Sequence, residues 1–128
     1  MKILLPLALC AACTGPLDEK ARLGPGDFAD ALTTAVGLSS GFVEVNPALS
    51  GAGNAAPLVG LALKYGLKYA LIEWGELDAR GVNTGVESVS MAAACWNISI
   101  ITGGTNPVSA AAALACGAIY LTQIAKLE

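Results

Sequence analysis

The sequence predicts an all-α fold: a small helical membrane protein of two antiparallel helix hairpins, about four helices, behind a signal segment. Composition is the first observation that predicts it. Of the 128 residues, 55% are hydrophobic and only 13% are charged, whereas about a quarter of an ordinary soluble domain is charged. A soluble fold this short leaves much of its surface wet and needs more polar residues to cover it. The second observation is the type of apolar residue. Ala, Leu, Val and Ile dominate, with 15 glycines and few aromatics, a mixture suited to helices whose backbones approach closely in a bilayer. The third is residues 107–125, which carry no charge and approach the roughly 20 residues that span a membrane. The net charge of −3 supplies no basic patch, so no nucleic-acid partner is expected.

Met1-Lys2 precedes Ile3-Leu4-Leu5-Pro6-Leu7-Ala8-Leu9 and then Cys10-Ala11-Ala12-Cys13. One positive charge, a short apolar run and small residues follow the order of an export signal. Leu9-Cys10-Ala11-Ala12-Cys13 resembles a bacterial lipoprotein signal. The resemblance implies residues 1–12 as a cleaved signal peptide and lipidation of Cys13. An uncleaved apolar anchor, with both cysteines as ordinary thiols, is the alternative. The Cys-x-x-Cys spacing lies inside this signal and has no second pair to complete a zinc set, so no metal and no cofactor are expected. Cys95 and Cys116 fall in later apolar runs and are expected to pack as small free hydrophobes.

Residues 13–27 are polar and broken by Pro16, Gly24, Pro25 and Gly26, the pattern of a flexible tether. Residues 28–128 form the helical membrane domain. Its first helix is expected over 28–45, stopped by Asn46-Pro47, because proline disfavours helix at the residue before it. The second is expected over 55–72, opening near Pro57. The third covers 85–102, with Glu87 near its start and Asn97 inside. The fourth covers 107–125, with Asn106 as its N-cap and Pro107 in the first helical position. Short turns within each pair make the paired helices antiparallel neighbours. Residues 73–84, with Glu73, Glu76, Asp78 and Arg80, separate the hairpins, and Trp74 suits an interfacial anchor. The four-residue spacings Ser109, Ala113, Gly117 and Gly37, Gly41 read as packing faces.

Lys64 and Lys68 lie four apart and share one face of the second helix. A lysine near a bilayer centre costs roughly 2.5–3.5 kcal/mol unless it snorkels or finds a partner. Counting outward from a turn over 47–54 places Lys68 level with about residue 32 and Lys64 with about residue 36. Asp30, Thr33 and Thr34 occupy that depth, so an intramembrane polar cluster with an Asp30–Lys68 pair is expected. Glu44, Asn46 and Pro47 form a turn motif, a helix stop with Glu44 in solvent or, alternatively, a headgroup or ligand contact.

Together, Asp30-x-x-Thr33-Thr34, then Gly41-Phe42-Val43-Glu44-Val45-Asn46-Pro47, then a lysine in the next helix resemble a family of small uncharacterised bacterial multi-pass membrane proteins. The similarity covers roughly residues 28–72, about a third of the chain. It implies a membrane fold, no known activity, and Asp30, Thr33 or Thr34, Glu44, Asn46, Pro47, and Lys64 or Lys68 as the family's positions here.

No enzyme is expected. The chain has no histidine, which removes the commonest general base at neutral pH; a Ser39 or Ser40 dyad with Lys64 is the only nucleophilic arrangement in sight. The expected role is structural or accessory, binding lipid, other membrane proteins or further copies of itself in the bacterial cell envelope, inner membrane foremost. The alternatives are an oligomeric pore or transport subunit built on the polar layer, and a phage holin-like membrane-perturbing lysis protein.

Overall fold

The computed structural model describes residues 20–44, 46–103, 106–124 and 126; the expected signal at 1–12 and the lipidation at Cys13 lie outside the described residues. Four α-helices follow in order: α1, Pro25–Ser39; α2, Ala56–Tyr69; α3, Ala79–Ile101; and α4, Pro107–Ile124. The all-α class and the four-helix plan are as the sequence predicts, and the described residues contain no strand.

The helix limits follow local chemistry. α1 opens on Gly24, with Pro25 in its first turn and the Asp27 carboxylate accepting the Gly24 N–H at 3.0 Å, so an orphan donor of the first turn is satisfied. Its end comes earlier than the expected residue 45. Gly41 adopts φ +88°, Phe42 N donates to Gly37 O at 3.1 Å, and Gly41 N donates to Leu38 O at 3.1 Å. That pair of bonds is a Schellman stop built on a glycine in the left-handed region, reached before Asn46-Pro47 can act. A 3₁₀ turn, Ser50–Ala55, leads into α2, and a π turn, Ala70–Trp74, closes it, with Gly75 N donating to Ala70 O at 3.0 Å. α3 begins before the expected residue 85, because Asp78 caps it by accepting the Gly81 N–H at 2.6 Å. Asn106 caps α4 as expected, accepting Ser109 N at 2.9 Å.

α1 pairs with α2 and α3 with α4, each pair antiparallel. The hairpins lie side by side so that α1 and α3 run parallel in the centre, with α2 and α4 outside them. Gly117 is where α4 meets α3: a Cβ there would stand 2.7 Å from Ser88 O and 2.9 Å from Ala92 Cβ, and Ala113 beside it is buried. Cys95 and Cys116, expected as free thiols, form a disulfide across α3 and α4 with Cα atoms 6.6 Å apart, because the antiparallel pairing brings them level. Gly37 is a buried packing position, but Gly41 lies beyond α1 as its stop and is exposed.

Residues 20–27, expected as part of a tether, are instead built into the bundle; Ala21, Leu23, Gly24, Gly26 and Asp27 are all buried. The distribution of polarity is inverted relative to a water-soluble bundle. Among the described residues, the largest fully buried side chains are Lys68, Glu87, Asn83, Asp27 and Ser90, and most of the buried hydrophobic residues are alanines. Seventeen large hydrophobic side chains among the described residues are exposed, including Leu63, Leu67, Trp74, Leu114 and Leu121. Two segments among the described residues are long and apolar enough to cross a membrane: Ser50–Trp74, which contains α2, and Pro107–Ile124, which is α4. These are the two outer helices of the row.

Candidate functional site

The buried polar residues form stacked layers between the helices. At the end of the bundle that holds residue 22, the Arg22 guanidinium lies 3.1 Å from Glu87 Oε1, and Tyr120 Oη donates to Glu87 Oε2 at 3.0 Å. Asn83 ties in the incoming chain: its Oδ1 accepts Arg22 N at 3.1 Å and its Nδ2 donates to Lys20 O at 2.8 Å. Backbone approach makes room for this layer. A Cβ on Gly24 would fall 1.9 Å from the Glu87 carboxylate, and one on Gly26 would fall 2.3 Å from Glu87 O. Arg22 Nε and Glu87 Oε1 are buried without a hydrogen bond among the described residues, so this ion pair is held by charge rather than by aligned donors.

In the next layer Lys68 and Asp27, both fully buried, pair at 2.5 Å. Lys68 Nζ also donates to Arg22 O at 2.9 Å, and Asp27 Oδ1 accepts Ser90 Oγ at 2.8 Å. With the Gly24 N–H added, Asp27 receives donors on both oxygens, the condition under which a buried pair is tolerated.

The third layer holds Lys64 on Asp30, which is half-buried. Asn97 Nδ2 reaches Asp30 Oδ1 at 3.1 Å and the Thr33 and Thr34 hydroxyls at 3.2 Å each. The expected pairing is therefore displaced by one helical turn: Asp30 meets Lys64, and Lys68 meets Asp27. The Schellman stop at Gly41 moves the midpoint of the first turn toward the N-terminus, so every level on α2 faces an earlier residue of α1 than the count from 47–54 gives.

Glu44, Asn46 and Pro47 lie in the connection after α1. Glu44 is half-buried rather than in solvent; its Oε1 accepts Asn46 N at 2.8 Å, and Asn46 Oδ1 accepts Ala48 N at 3.1 Å. Asn46 and Pro47 are exposed. The fold brings Glu44 into the lining of a cleft of ≈ 300 Å³ between the C-terminal ends of α1 and α3, together with Thr33, Thr34 and Asn97. Glu44 of the turn motif and Thr33 and Thr34 of the polar cluster thus line one cavity, whereas Asn46, Pro47, Asp30, Lys64 and Lys68 are not in its lining. The hydroxyls of Ser39 and Ser40 both donate to Val36 O, and Lys64 is engaged by Asp30, so the structure does not bring the serine–lysine dyad together.

Arg22, Asp27, Asn83, Glu87, Ser90 and Tyr120 join this network without having been singled out as site residues. The spacing of Asp27 ahead of Asp30, nearly one helical turn, is the signal that could have found the second acidic partner for two lysines four apart. No protein family, curated protein or solved structure matches this chain.

Proposed function

We propose that the protein is a small integral membrane protein with a structural or accessory role, its apolar exterior in contact with lipid or with other membrane proteins. The observation that carries this reading is the inverted polarity: charged and amide groups fill the interior, while large aliphatic side chains cover the outside. In water such an exterior is an aggregation hazard, whereas in hydrocarbon it is the expected one, with ionisable groups turned inward and paired. Two outer segments of spanning length flank the polar pair α1 and α3, which agrees with that arrangement. The Cys95–Cys116 disulfide supports a location in the cell envelope, because structural disulfides persist in oxidising compartments. The resemblance of residues 28–72 to small bacterial multi-pass membrane proteins points the same way, and the inner membrane is the location proposed.

Alkaline carbonate extraction of membranes from cells expressing the full chain tests the reading. Retention in the pellet, with release only by detergent, is expected. Recovery in the carbonate supernatant would overturn it.

A further inference from the structure

The cleft between the C-terminal ends of α1 and α3 has a chemical bias that the buried layers lack. Every polar group described in its lining can accept a hydrogen bond, and no lysine or arginine lines it. Glu44 uses Oε1 on Asn46 N and leaves Oε2 without a partner among the described residues. Asn97 directs its Nδ2 at Asp30, Thr33 and Thr34, which turns its carbonyl Oδ1 away from those acceptors; that oxygen accepts no bond among the described residues. α1 and α3 are parallel, so the negative ends of two helix dipoles converge here, and neither helix has a basic residue in its last turn. Around these acceptors the walls are apolar, with Leu38, Phe42, Val43, Ile100 and Ile101.

We propose that this cleft binds a single-chain amphiphile bearing a primary ammonium group. The ammonium carries three donors and meets Glu44 Oε2, Asn97 Oδ1 and the Thr34 hydroxyl, while the chain lies along the aliphatic wall. An anionic or phosphate-bearing head is disfavoured, because no cation in the lining would receive it. A volume of ≈ 300 Å³ stands at the small end of ligand pockets, which favours one chain over the two of a diacyl lipid. Gly37 is part of the lining; a Cβ there would meet Ile101 Cδ1 at an ordinary 3.8 Å, so a larger side chain at this position extends into the cavity. The inference does not depend on the membrane reading, since binding is measured in detergent solution and membrane integration by extraction.

The test is a thermal-unfolding titration of the full chain in a neutral maltoside, with nonylamine, nonanoate, nonanol and a short-chain phosphatidylethanolamine as separate additions. Nonylamine at saturation is expected to raise Tm by about 3 °C or more, with little effect from nonanoate or nonanol. Glu44→Gln and Gly37→Leu are each expected to remove the shift. Gly66→Ala, on α2 and outside the cleft, meets open space and is expected to retain it. Equal shifts from the amine, acid and alcohol would overturn the proposal by showing that only the chain is read. A larger shift from the phosphatidylethanolamine would overturn the single-chain assignment, and an unchanged Tm in all four would overturn the site.

Discussion

Asp27 and Lys68 illustrate how a charge survives in this core. Neither side chain touches solvent, and removal of one partner from such a pair leaves the other uncompensated, typically a loss of about 3–5 kcal/mol. Lys68→Met and Asp27→Asn are each expected to destabilise the protein by that order, and the double variant by clearly less than the sum. Denaturation in mild detergent checks this, and strict additivity would contradict the coupling. Asp30 and Lys64 are part-exposed, so the corresponding cycle is expected to give a smaller coupling. The glycines make a second residue-scale test. Gly26→Ala drives a Cβ toward the backbone carbonyl of Glu87, which cannot rotate away, and is expected to destabilise. Gly66→Ala meets open space inside α2 and is expected to stabilise by about 0.4–1 kcal/mol. The sequence shows that the two lysines of α2 share a face and that Asp30 of α1 lies near their depth as a partner for one of them. It does not show the register, because that depends on where α1 stops, and a single glycine at positive φ moves the stop by more than a turn.

At the scale of elements, helix starts and stops explain which expectations hold. α4 is legible because Asn106-Pro107 is an unambiguous start and no charge interrupts the helix. The start of α3 is equally written in Asp78, but the charges of residues 73–84 look like a linker until Asp78 is seen as a cap and Arg80 and Asn83 as helix residues. The stretch before Pro25 looks like a tether because its polar residues have no visible partners in the sequence; those partners, Glu87 and Lys68, lie over 40 residues away. The α3–α4 pairing carries its own prediction. The disulfide closes a loop with a sequence separation of 21, and cross-links over such loops contribute about 3 kcal/mol. Cys95→Ser with Cys116→Ser is expected to lower stability by up to that amount and to abolish the mobility difference between reduced and non-reduced protein on a denaturing gel. An identical mobility for the wild-type chain in both states would contradict the cross-link.

For the whole molecule, the arrangement follows from where the two kinds of helix sit. α1 and α3 bring acids, amides and hydroxyls to the centre, α2 adds the lysines from one side, and α4 adds Tyr120 from the other. The outer faces of α2 and α4 are left with leucines and isoleucines that no other part of the described chain covers. The sequence makes the apolar excess plain; only the fold shows that the excess is on the outside, since composition alone does not say which face a leucine takes.

The measurement that tests this most directly is the depth-dependent accessibility of spin labels in bilayers. Labels at Leu63 on α2 and Leu114 on α4, both exposed in the bundle, are placed in a chain with Cys10 and Cys13 replaced by serine and the disulfide kept, and compared with a label at Asp78. With these faces in lipid, Leu63 and Leu114 are expected to collide readily with oxygen and hardly with a water-soluble nickel chelate, with the reverse at Asp78. Strong collision with the nickel chelate at both Leu63 and Leu114 would contradict it, because those faces would then lie in water.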